Sequence, residues 1–168
     1  MEPCAECGYA YASLGRDQIA PELRTLAAAY VDVLTRTGSG RLRARPRAGV
    51  WSALEYACHV RDVHRVQEAR ILQACAEEQP DFASMRREER VLEERYNDQE
   101  PVVVASEIRS AADALARTLE ALDETGWSRT GVYHWPTTEV RTVDWIGRHT
   151  VHESCHHLHD IHGLRDGP

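Results

Sequence analysis

The stretch Val151-His152-Glu153-Ser154-Cys155-His156-His157-Leu158-His159-Asp160-Ile161-His162 decides how this chain is read. It holds five of the nine histidines in 168 residues. The segment around it has helical periodicity, and residues four apart on a helix share a face. Two such pairs offer metal ligands, His152 with His156 and Glu153 with His157. The series Val143, Ile146, Thr150, Glu153, His157, Ile161 and Leu164 advances in steps of three or four. Its ends are mostly aliphatic and its middle is polar, the pattern of a core stripe interrupted by a site. His152, His156 and His159 fall about 100° away, on the flank. The phase therefore favours Glu153 and His157 as the inward pair, with His152 and His156 as the alternative.

A carboxylate and an imidazole facing a core are costly without partners. A divalent metal that takes both as ligands removes that cost. Zinc, nickel or iron accepts nitrogen and oxygen donors, and two residues on one helix leave room for a third from another. His59 is the candidate, because the second helix has a polar interruption there. Three protein ligands leave a position for water or a thiol, as catalytic sites do. The string His152-Glu153-Ser154-Cys155-His156 also matches the His-Glu-x-x-His of metalloproteases. A helical bundle with no edge strand for a peptide substrate argues against that reading.

Outward from this stretch, four long helices are expected. The first spans about 17–36, with Asp17 as a cap and the glycines of Gly38-Ser39-Gly40 ending it. The second begins after Ser52, which forms a capping box with Glu55, and runs to about Ala76. Its buried face is expected to include Leu54, Cys58, Val66, Ala69 and Leu72. The third follows Pro101 with Val104, Ile108, Ala111, Leu115, Leu119 and Leu122 at helical spacing, and Gly126 is expected to close it. The fourth is capped by Thr142 and ends near Gly163. Long connections separate them: an arginine-rich loop over 41–50, a charged stretch over 77–100 with a short helix, and an aromatic, turn-rich stretch over 127–141. The expected fold is all-α, a four-helix bundle over 17–163 between an N-terminal tail at 1–16 and a C-terminal tail at 164–168.

The tail carries Cys4-Ala5-Glu6-Cys7-Gly8, half of a zinc knuckle. The second half could come from histidines brought near by folding or from another chain. A redox pair, or no site at all, are the alternatives. Cys58, Cys75 and Cys155 read as small buried apolar residues. Arg41, Arg43, Arg45 and Arg47 read as a solvated loop, or as a cradle for an anion.

The net charge of −7 argues against nonspecific nucleic-acid binding. No apolar run suits a membrane span, and the first residues lack the pattern of a secretory signal, so a cytoplasmic location is expected. Dimers are common among small bundles, and a homodimer is compatible with the chain.

Trp51-Ser52-x-x-Glu55-Tyr56-x-x-His59-Val60-x-Asp62, followed about ninety residues later by His156-His157-Leu158-His159-Asp160-Ile161, resembles the DinB-like superfamily over about 17–163. That group includes the mycothiol-dependent maleylpyruvate isomerase. The resemblance implies an up-down-down-up bundle that holds a divalent metal, zinc or nickel, between its helices. The family's usual ligands are one histidine on the second helix and two on the last. Here His59 and His157 match the first and the last of these, and Glu153 falls at the middle position, as in the His/Glu/His set of the isomerase. The implied activity is thiol-dependent transfer or isomerisation, with mycothiol as cosubstrate, a small electrophile as its partner, and a metal-bound water or thiol in place of a catalytic side chain. The all-arginine basic set suits a GC-rich genome and hence an organism that uses mycothiol. A non-catalytic metal-binding or stress-response module of the same fold is the competing expectation.

Overall fold

The computed structural model describes residues 3–164; Met1 and Glu2 of the N-terminal tail, and 165–168 of the C-terminal tail, lie outside the described residues. The elements in order are α1 (Arg16–Arg36), α2 (Ser39–Arg43), α3 (Ala53–Ala76), α4 (Arg87–Glu93), α5 (Pro101–Glu120), α6 (Glu124–Ser128), β1 (Thr130–Tyr133), β2 (Glu139–Thr142) and α7 (Val143–Gly163). Single turns of 3-10 helix lie at Tyr11–Ser13 and Tyr96–Asp98.

The four long helices are α1, α3, α5 and α7, and residue pairs along their seams give their directions. Arg16 meets Asp144 and Tyr30 meets Ser154, so α1 and α7 run parallel. Arg61 meets Glu107 and Thr118 meets Glu68, so α3 and α5 run parallel. His64 meets Ser154 while His59 meets Glu153 and Tyr56 stacks on His157, so α3 and α7 are antiparallel. The bundle is therefore up-down-down-up. The long stretch 77–100 carries the chain back along the bundle between the parallel α3 and α5.

Local chemistry sets the helix ends. Ser52 and Glu55 form the capping box: the Ser52 hydroxyl accepts from the Glu55 amide at 3.2 Å and the Glu55 carboxylate accepts from the Ser52 amide at 2.8 Å. Such a cap stabilises a helix by about 1 kcal/mol. Thr142 caps α7 through the Trp145 amide. Gly15, rather than Asp17, is the N-cap of α1, with the Gln18 side chain returning to its amide at 2.8 Å. Gly126 does not close α5, which stops at Glu120; Asp123 starts the separate turn α6 and its carboxylate takes the Gly126 amide.

The burial expected along α3 needs a correction. Ala69 is exposed, Leu72 is 54% exposed, and Cys75 is exposed as well. Up to His64 the helix is covered on nearly every side, so its apolar residues carry no phase. Beyond His64 only the side with Gln67, Ile71 and Ala74 meets the rest of the fold. Cys58 is fully buried, and Cys155 is half-buried.

The arginine-rich loop contains the short helix α2 and is fastened to its surroundings. Arg45 pairs with both oxygens of Glu55. Arg43 donates to the Gln99 carbonyl at 3.0 Å, and Asn97 donates to the Arg43 carbonyl at 2.9 Å. These arginines hold the start of α3 rather than a ligand.

The aromatic connection is a hairpin, with Thr130 opposite Thr142 and Tyr133 opposite Glu139. Residues 80–82 dock beside it: the Phe82 amide donates to the Val132 carbonyl at 3.1 Å and the Val132 amide to the Pro80 carbonyl at 2.8 Å. The Phe82 ring fills the space over Gly131, where a Cβ would lie 2.2 Å from its Cζ. The hairpin and the 82–89 segment together roof the middle of α3 and α7. No described helix is long and apolar enough to cross a membrane.

Candidate metal centre

The antiparallel crossing of α3 and α7 brings His59, Glu153 and His157 together, with one donor atom from each within 4.8 Å of the others. Oε2 of Glu153 is the hub, 3.9 Å from His59 Nε2 and 3.7 Å from His157 Nε2. The two imidazoles meet edge to face with centroids 5.0 Å apart. Trp51 packs on His59 at 5.2 Å and Tyr56 stacks on His157 at 5.3 Å. The three residues that sequence phase and resemblance single out are thus neighbours, each placed by a long helix.

His59 is only 2% exposed, and neither of its ring nitrogens has a hydrogen-bond partner. An imidazole buried in that state has lost its hydration with nothing in return. A cation at this point would give one nitrogen a ligand bond. The donor chemistry agrees, since two imidazoles and a carboxylate suit a first-row divalent ion.

The charge state agrees as well. Burial lowers the His59 pKa, so its ring is neutral, the form that ligates. Burial alone would raise Glu153, but His157 and His59 beside it outweigh that and hold it well below the usual carboxylate range. Burial likewise pulls His157 down, but Asp160 and Glu153 more than reverse this and lift it to about 9. Asp160 takes the Nδ1 proton at 2.9 Å, which turns Nε2 toward Glu153. Carboxylate–histidine pairs of this kind orient the ligands of metal sites.

A histidine outside the sequence reading joins the site. His149 lies one helical turn before Glu153, with Nε2 3.8 Å from Glu153 Oε1. Its ring stacks on Trp145 at 4.5 Å, and Tyr11 Oη sits 2.7 Å from its Nδ1. Burial depresses its pKa to about 4, so it is a neutral polar wall. The spacing of four from Glu153 was the available signal.

One side of the centre opens on a cavity of about 300 Å³. Its floor carries His59, Glu153 and His149, its walls Val63, Val66, Gln67, Arg70 and Tyr133, and its rim the 84–89 segment with His134 and Trp135. Glu153 keeps 20% of its side-chain exposure through this opening. Gln67 donates to the Tyr133 hydroxyl at 2.7 Å, and the Arg70 guanidinium lies 4.7 Å from the Tyr133 ring centroid. Arg86 and Arg87 stand at the rim. Arg86 pairs with Glu93 and Arg87 with Glu88, and Glu88 and Glu89 also line the rim. Among the described residues, the cavity guanidinium without a carboxylate partner is therefore that of Arg70, and none comes from the 41–47 cluster.

His152 and His156 face the N-terminal segment; His152 also has a donor atom within 4.8 Å of His149 and Glu153, and His156 one within 4.8 Å of His157 and Asp160, while His159 is exposed.

The description of the DinB superfamily matches residues 22–161. The chain belongs to the DinB superfamily. Among solved structures it is similar to YfiT from Bacillus subtilis, described as a probable metal-dependent hydrolase with an unusual four-helix bundle topology. The TM-score is 0.80 at 20% identity, over 90% of this chain and 88% of that one. It is also similar to the mycothiol-dependent maleylpyruvate isomerase, with a TM-score of 0.65 at 14% identity. That match spans 85% of this chain but 60% of the isomerase, so the chain corresponds to less than two thirds of that enzyme. At these identities the likeness is one of fold. No curated protein matches the chain by sequence.

Proposed function

We propose that this DinB protein binds a divalent metal, zinc or nickel, through His59, Glu153 and His157, and uses it to join or rearrange a low-molecular-weight thiol and a small anionic electrophile. The observation that carries this reading is the partnerless His59 imidazole, set in a three-donor cluster at the floor of an open cavity. Three protein donors leave a cation with room for an exogenous ligand, which distinguishes a reactive centre from a closed structural one. When bound, the metal supplies a positive charge that favours the thiolate form of a thiol placed beside it.

The chain's own residues do the rest. Asp160 fixes the His157 ring, and ionised Glu153 holds the negative charge the cation needs. Val63, Val66 and Met85 keep part of the cavity wall apolar, which limits water around a nucleophile. Arg70, the cavity arginine that no described carboxylate pairs with, favours a carboxylate-bearing partner. Burial raises the Tyr133 pKa, so its phenol remains a neutral donor at the wall, oriented by Gln67. Mycothiol fits as the thiol because a mycothiol-dependent enzyme shares this fold.

The test combines metal analysis with turnover. Purified protein and its His59→Ala variant are assayed for bound metal, then the loaded protein is offered mycothiol with maleylpyruvate and with simple carboxylated electrophiles. Turnover that requires both metal and thiol supports the proposal. Full metal loading without turnover for any thiol leaves a non-catalytic metal-binding module. Metal content unchanged by His59→Ala rejects the centre itself.

A further inference from the structure

We infer that the protein holds a second metal ion, a structural zinc bound by Cys4 and Cys7 of the N-terminal segment and by His152 and His156 of α7. One donor atom from each of these four residues lies within 4.8 Å of the other three, on the flank of α7 covered by the N-terminal segment. The distance from Cys4 Sγ to His156 Nδ1 is 3.7 Å. Ligand bonds of about 2.3 Å to sulfur and 2.0–2.1 Å to nitrogen, set tetrahedrally, place such atoms about 3.6 Å apart. Two thiolates and two imidazoles make a closed, four-donor set with no place left for substrate.

The backbone has the matching shape. The Gly8 amide donates to the Cys4 carbonyl at 2.9 Å and the Cys4 amide to the Tyr9 carbonyl at 2.8 Å, which curls the segment into a tight turn. Gly8 has φ of +74°, a value a glycine adopts without strain.

Both histidines have one ring nitrogen occupied elsewhere and the other left for the cluster. His156 directs Nε2 at the Glu6 carboxylate, 3.2 Å away, while Nδ1 faces Cys4. For His152, Nδ1 lies 3.1 Å from the Tyr11 hydroxyl. The remaining His152 nitrogen, Nε2, is buried and has no hydrogen-bond partner. A zinc ion is the electrophile this nitrogen lacks. A ring nitrogen held by a carboxylate or hydroxyl, with the other on the metal, is the usual state of a zinc-ligating histidine.

The inference is independent of the His59 centre and is tested separately from it. Full-length protein purified with reductant is analysed for zinc, alongside a Cys4→Ser/Cys7→Ser variant and a His59→Ala variant. The expected result is one equivalent less zinc in the double cysteine variant whether or not the His59 site is filled. Cobalt-substituted protein is expected to show intense thiolate-to-cobalt charge-transfer absorption, unchanged in His59→Ala and absent in Cys4→Ser/Cys7→Ser. Thermal unfolding with and without chelator reports whether the cysteine variant still folds. Absence of the charge-transfer band in cobalt-loaded wild type overturns the inference. So does a disulfide joining Cys4 to Cys7 in the reductant-purified protein, seen as a loss of two hydrogens by mass spectrometry.

Discussion

His157 Nδ1 lies 2.9 Å from Oδ2 of Asp160, one turn further along the same helix. This pairing, with Glu153 on the other side of the ring, keeps a proton on His157, the one of the three candidate ligands not in its metal-binding charge state. His59 is already neutral and Glu153 already ionised, whereas His157 is raised to about 9. A metal entering the cluster must therefore displace a proton from His157 alone. Calorimetry in buffers of different ionisation enthalpy, with the cysteine site blocked by Cys4→Ser/Cys7→Ser, is expected to show about one proton released per metal at pH 7. Affinity should climb with pH up to about 9 and flatten above it. Release of no proton, or of two, would contradict this charge assignment.

The same proton stabilises the metal-free fold. A histidine whose pKa rises on folding adds stability that is complete below its unfolded value and vanishes as pH climbs through the folded one. The metal-free protein is thus expected to lose stability between about pH 6.5 and 9. Saturating metal should flatten that slope, because the bound ion replaces the proton. Denaturant midpoints measured across this range with and without metal provide the check.

Asp160→Asn keeps the shape of the side chain but removes the charge that orients His157. Loss of such an outer carboxylate weakens metal binding by about 10–100-fold. Competition with a chromophoric chelator measures it. The change should leave the cobalt charge-transfer band of the cysteine-containing site in place.

His64 is fully buried in the bundle, with Nε2 2.8 Å from the Ser154 hydroxyl. Ser154 donates to the Thr150 carbonyl at 2.9 Å, so His64 is the donor in this contact and its Nδ1 has no partner. Burial lowers its pKa to about 4. Its neutral state contributes stability that is full above the unfolded pKa near 6.5 and is lost as pH falls toward 4, a difference of a few kcal/mol at most. His64→Gln retains a donor without the titration. It is expected to shift the acid-unfolding midpoint, followed by circular dichroism, to lower pH.

Gly131→Ala drives a methyl into the Phe82 ring. Overpacking of this kind costs about 1–3 kcal/mol. Because Phe82 ties the 82–89 segment to the hairpin, the cavity wall should shift too, and weaker binding of anionic ligands is expected along with a lower Tm. The second change Phe82→Leu should recover part of the stability.

Where the long helices lie could be read from the sequence because each announces itself locally. Ser52 and Glu55 mark the start of α3, Thr142 marks that of α7, and the spacing from Val104 to Leu119 defines α5. Glu153 and His157 stood out for the same reason, as polar residues in the middle of an aliphatic stripe. The hairpin was harder to see, since both strands are short and β2 keeps Glu139, Val140 and Thr142 exposed. The contact of 80–82 with Val132 joins segments about fifty residues apart, and no local pattern encodes it. His149 went unread because its hydrogen-bond partner Tyr11 comes from a distant segment. Arg70 at the cavity was hidden by a denser cluster at 41–47, of which Arg45 is spent on Glu55 and Arg43 on the Gln99 carbonyl.

The parallel run of α1 beside α7 has a consequence for the chain's beginning. In an alternating up-and-down bundle the first and last helices point in opposite directions, and a leader before the first would emerge at the far end of the last. Here both start together, with Arg16 on Asp144, and residues 4–15 run back along α7. Tyr9 reaches Arg148 and Cys4 reaches His156 on that course. These residues therefore work as a strap laid over the helix that carries Glu153 and His157.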